Sequence, residues 1–101
     1  MNEKSTTELG QLIDMSMDDF NDHFAARSLG DVMGAKNVFT LLFNDMTKKR
    51  TALVDKISKV IDPDEKQKLT DEVFTPFHDK MLRVEVRILR LDEIVKERTV
   101  E

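Results

Sequence analysis

Phe74-Thr75-Pro76-Phe77-His78-Asp79-Lys80-Met81-Leu82-Arg83-Val84-Glu85-Val86-Arg87-Ile88-Leu89-Arg90-Leu91-Asp92-Glu93-Ile94-Val95 (residues 74–95) decides the fold. Phe74, Phe77, Met81, Val84, Ile88, Leu91 and Val95 follow one another at alternating steps of three and four, and Thr70 extends the line backwards. That spacing keeps one apolar line on the side of a helix that faces a partner helix. Leu82 to Ile88 also alternates apolar with polar residues, which is a strand signature. Helix wins because the three-four spacing passes through this segment without a slip, and no second run exists to pair with it as a sheet.

A matching line lies upstream. Val32, Phe39, Met46, Leu53 and Val60 recur every seven residues. Between the two lines stands Asp62-Pro63-Asp64, where Asp62 suits a helix cap and Pro63 the first helical position. The expected fold is therefore all-α, with a long antiparallel helical hairpin of coiled-coil type. Its first arm runs from about Leu29 to Ile61 and is roughly 45–50 Å long. The second arm is kinked or broken at Pro76, because proline lacks an amide hydrogen and disfavours helical geometry at Thr75. The spacing predicts helices over about 64–74 and 77–98.

The hairpin, residues 29–98, is preceded by a short helical head, residues 5–26, and the whole chain of 101 residues reads as one domain. Ser5-Thr6-Thr7-Glu8 has a capping-box pattern. Ser16 and Ser28 suit caps of the next two helices, with acidic residues in each first turn. Glu8 to Phe20 has the rhythm of a helix-turn-helix. Gly10 would permit a close crossing, Met15 and Phe20 would plug the core, and Ser16 would cap the second helix. The would-be recognition helix carries Asp18, Asp19 and Asp22, which phosphates would repel. Two short helices packed on the hairpin is the simpler reading.

Composition narrows the class. There is no Cys, so no disulfide or thiolate metal site can form. Nothing resembles a secretory leader, and the densest apolar run, Val38 to Phe43, is far below the ~20 residues of a membrane span. A cytoplasmic, soluble protein without membrane contact is expected. The net charge of −4 is unevenly laid out. Residues 1–31 carry two basic and seven acidic side chains, whereas residues 32–61 carry six basic and two acidic ones. An acidic head and a basic arm attract each other.

Three groups of residues stand out as candidate sites. Leu82, Val86 and Leu89 form a second apolar stripe on the C-terminal helix, and Leu41, Leu42 and Phe43 point in three directions from the first arm, with Leu41 and Phe43 as its interface candidates. A helix apolar around more than half its girth touches more than one neighbour. Further copies of the chain are the expected cover. Arg83, Arg87 and Arg90 form a polar row that suits anions or the acidic head, in particular Asp18, Asp19 and Asp22. If carboxylates made that contact, salt would loosen the head. A solvated face with helical ion pairs is the plainer alternative. Lys48, Lys49, Arg50, Lys56 and Lys59 suit nucleic acid, but they spread over several faces, and the chain has no Tyr or Trp to stack on bases.

Catalysis finds no support. His23 and His78 are the only histidines, neither is framed by a nucleophile, and Asp19 with His23 is two ligands short of a structural zinc site. Gly10, Gly30 and Gly34 match no phosphate-cradling loop. No cofactor and no metal are expected. The leading expectation is a non-enzymatic, self-associating helical protein acting as an assembly, adaptor or scaffold piece. One alternative is a small DNA-associated regulator or packaging-type factor with an oligomerising hairpin. Another is an acidic-headed inhibitor of a basic protein.

Overall fold

The computed structural model describes residues 9–99. Residues 9–14 are helical (α1), and α2 spans Met17–Ala25, α3 Leu29–Ser58 and α4 Pro63–Leu69. A π-helical turn, Thr70–Phe74, leads into α5, Thr75–Thr99. No strand occurs among the described residues, and Leu82 to Ile88 is helical. The capping box expected at Ser5 to Glu8 lies outside them. No described helix is long and apolar enough to cross a membrane.

Local chemistry starts each helix where the sequence places a cap. The Ser16 hydroxyl accepts from the Asp19 amide at 3.1 Å, and the Ser28 hydroxyl from the Asp31 amide at 3.1 Å. Asp62 accepts from the Asp64 amide at 3.1 Å, with Pro63 at the first helical position. α3 stops at Ser58, short of the expected Ile61. The Lys59 and Val60 amides turn to carbonyls three residues back, which tightens the last turn and frees Asp62 for its extended capping geometry.

The second arm is kinked but unbroken at Pro76. Thr75 keeps right-handed helical angles (φ −60°, ψ −48°), although the following proline disfavours them. The strain is absorbed one turn earlier. The Thr75 amide donates to the Thr70 carbonyl, five residues back, so the coil widens just ahead of the ring. An ordinary α turn would drive the ring against the Glu72 carbonyl.

α3 and α5 pack antiparallel along the two seams. Val32, Phe39 and Met46 meet Met81, Val84 and Leu91, and all six are buried. The head lies on one flank of this pair. Leu12 and Ile13 of α1 and Phe20 and Phe24 of α2 complete the same core. The Phe20 and Phe39 rings meet edge-on at 6.2 Å, and the Phe20 and Phe24 rings are tilted at 4.9 Å. Lys36 ties α3 to Asp92 of α5 at 2.7 Å. The result is elongated: its extents are 56 × 29 × 23 Å. The radius of gyration is 16.6 Å, against about 13 Å for a compact domain of this size.

Gly10 does not serve a close crossing. A Cβ there would meet nothing within 4 Å. Leu12, Ile13 and Phe20 of the two head helices are buried in the common core.

Candidate functional site

The row Arg83, Arg87 and Arg90 does receive the head, its middle residue through backbone carbonyls and the two outer ones through side chains. Arg87 is 6% exposed, so the middle of the expected solvated stripe is buried. Its Nε donates to the Leu12 carbonyl at 3.0 Å, and Nη2 donates to the Met15 carbonyl. Its guanidinium also sits 5.5 Å from the centre of the Phe20 ring. Leu12 lies in the last turn of α1, where carbonyls lack helical partners and carry partial negative charge. Arg87 is thus a C-terminal cap supplied to α1 from a distant helix.

Arg98 repeats the device one helix later. Nη1 donates to the Arg27 carbonyl at 2.6 Å and Nη2 to the Phe24 carbonyl at 2.7 Å, at the C-terminal end of α2. Two arginines eleven residues apart on α5, about 16 Å along its axis, therefore close the ends of two successive head helices. Arg83 pairs with Asp14 at 3.6 Å and Arg90 Nε donates to Asn21 Oδ1 at 2.7 Å. Asp18, Asp19 and Asp22 are exposed and form no ion pair among the described residues, so these carboxylates do not dock on the row.

Burial lowers the Arg87 pKa below the usual guanidinium range, the Arg83 cation adds to this, and Asp14 opposes it. The group starts so far above neutrality that it stays charged. On the opposite flank, hydrogen bonds from Lys36 and then Lys96 hold the Asp92 carboxyl below the usual carboxylate range. Sequence reasoning missed Arg98 altogether. It also missed the inward position of Arg87, although one signal was present: Arg87 and Ile94 are seven residues apart and share a helical position, and Ile94 is buried.

The apolar candidates divide. Leu82 and Val86 are about half exposed, Leu89 is 61% exposed and Leu41 70% exposed. Phe43 is half-buried against the core, so it is not part of the open surface. At 100° per residue, Leu41 lies on the outer edge of α3 and the Leu82–Val86–Leu89 stripe on the outer edge of α5. They are separate surfaces.

The basic group does not converge. Lys48, Lys49 and Arg50 are successive helical residues and point in three directions. Lys49 pairs with Asp45 and Lys59 with Asp55, each at 3.0 Å across one helical turn. Lys56 is exposed, and Arg50 is half-buried. His23 lies edge-on to Phe24 at 4.8 Å. His78 stacks on Phe74 at 5.5 Å, and its buried Nδ1 has no hydrogen-bond partner among the described residues. Among the described residues, no three His, Asp or Glu side chains gather in a way that could hold a metal ion. No family model, curated protein or solved structure matches this chain.

Proposed function

We propose that this protein is a non-enzymatic helical interaction module that associates with copies of itself through the outer edge of α5. The observation that carries this reading is the stripe Leu82, Val86 and Leu89, 45–61% exposed on a helix whose inner face is buried. At the C-terminal end of the stripe the flanking charges are engaged within the chain, while Glu85, beside Leu82 and Val86, forms no ion pair among the described residues. Arg90 contacts Glu93 at 3.3 Å, and Lys96 contacts Asp92 at 3.0 Å. An apolar strip with few unpaired charges along it suits a protein surface better than a highly charged ligand. The head and hairpin then form a scaffold that presents this edge.

Sedimentation of the wild type beside Val86→Asp tests the reading. The wild type should sediment as an assembly, and the variant should fall in mass with unchanged helicity. A monomeric wild type, or a variant of unchanged mass, refutes it.

A second reading rests on the free carboxylates of Asp18, Asp19 and Asp22, which suit an acidic-headed binder of a basic protein. It requires a stable monomer whose capture of a basic partner weakens with salt. DNA association draws on no converging set of cations and is the weakest of the three. A mobility shift that disappears when Lys48, Lys49 and Arg50 are changed to Glu would revive it.

A further inference from the structure

The head covers only part of the hairpin. Seam residues beneath it, Val32, Phe39, Met46, Met81, Val84 and Leu91, are all buried. Towards the turn the molecule is two helices thick, and seam residues Leu53, Val60, Thr70 and Phe74 are only half-buried. The gap between the arms there is an open apolar groove of about 260 Å³, floored by Val54, Ile57 and Phe74 and rimmed by Ser58, Lys66 and Thr70. In the turn itself, outside the groove's lining, Ile61 is 95% exposed. One end of the molecule thus carries both an unfilled apolar groove and an apolar side chain with nothing to fill.

Charge points the same way. Ile61 is followed by Asp62 and Asp64, so the projecting side chain has an acidic flank. The groove has Lys66 on its rim, and that ammonium forms no ion pair among the described residues. The acidic flank and the basic rim belong to the same short stretch of chain, so they can satisfy each other reciprocally across a two-fold axis.

We propose that the hairpin tip pairs with the tip of a second copy, the Ile61 of each entering the Val54–Ile57–Phe74 groove of the other, with the Asp64 of each facing the Lys66 of the other. The contact is distinct from the α5 edge and does not depend on it. It covers the stretch of seam the head leaves open, which is the physical reason for it. Its small area makes it a weak pair that forms at high protein concentration.

The test uses a Val86→Asp background, so that the α5 edge contributes nothing. That protein should still form dimers in a concentration series by sedimentation equilibrium. Asp64→Lys and Lys66→Glu should each weaken dimerisation at least tenfold, because each places like charges at both contacts. Mixed one to one, they should regain it, because in the mixed pair both contacts again join opposite charges. Ile61→Asp should abolish pairing with helicity intact, since Ile61 touches almost nothing in the monomer. The chain has no cysteine, so copies carrying Ile61→Cys mixed with copies carrying Val54→Cys should form a heterodimeric disulfide. A Val86→Asp protein that stays monomeric at all concentrations overturns the proposal, as does a charge-swapped mixture no tighter than its components. An unchanged mass on Val86→Asp with pairing lost on Ile61→Asp would refute the α5 reading and support this one.

Discussion

Arg87→Ala should detach the head from the hairpin while leaving the hairpin formed. The guanidinium bonds the Leu12 carbonyl at 3.0 Å and the Met15 carbonyl, and it lies over Phe20. Hydrogen bonds involving a charged group contribute about 1.5–3 kcal/mol, and the ring contact adds about 0.5–1 kcal/mol. Desolvation of the cation offsets part of this. The carbonyls remain after the substitution and lose their donors, so the net loss should be about 2–4 kcal/mol. Arg87→Met keeps the apolar stem against the core and should recover about 1 kcal/mol of it. Urea unfolding followed by circular dichroism gives the total, and amide hydrogen exchange locates it. Residues 9–25 should lose protection well beyond residues 39–57 and 81–94. A loss below about 0.5 kcal/mol, the range of ordinary surface substitutions, would refute the capping role. So would a uniform rise in exchange, which would mean that Arg87 supports the core as a whole.

Salt separates the observed docking from one made by carboxylates. The Arg87 partners are carbonyls in a buried setting, so head protection should survive about 1 M salt, where the Debye length is ~3 Å. Collapse of protection over residues 9–25 at that salt would mean that the Arg83–Asp14 pair carries the docking. Gly34→Ala should stabilise by about 1 kcal/mol and raise Tm by roughly 5 °C, because Gly34 is exposed inside α3 and a Cβ would meet nothing within 4 Å; a lower Tm in a thermal melt would contradict this. Phe39→Ala should cost about 3–5 kcal/mol in urea unfolding, since Phe39 is fully buried against Phe20, and a loss under ~1 kcal/mol would misplace the core. Asp92, held below its usual pKa, contributes stability that is present above the ordinary carboxylate pKa and is lost as pH falls through its lowered native value. The stability gap between wild type and Asp92→Asn should therefore narrow below about pH 4. A gap that persists at lower pH would show that the carboxylate charge does not contribute.

The seams were legible in the sequence because helical periodicity is local. Phe74 to Val95 and Val32 to Val60 each declare one apolar face without reference to the rest of the chain. The caps at Ser16, Ser28 and Asp62 were legible for the same reason, since each side chain bonds an amide two or three residues away. Pro76 was legible as a perturbation but not in its form. Whether the chain breaks or widens into a π turn depends on whether packing against α3 holds Phe74 and Phe77 on one face.

The arginine row shows the boundary most plainly. Residue type and spacing made it an anion-binding stripe, because on an isolated helix only the seven-residue step to Ile94 sets Arg87 apart from Arg83 and Arg90. Its bond to the Leu12 carbonyl spans 75 residues, and the acceptor exists only because α1 ends where α5 passes. A backbone carbonyl has no letter in the sequence, so no pattern of side chains could announce it. Local spacing determined which helices form and which faces they bury. The uncovered α5 edge was legible as well, as a second stripe at helical spacing, whereas tertiary packing alone decided which charge goes inside and that the hairpin tip lies beyond the reach of the head.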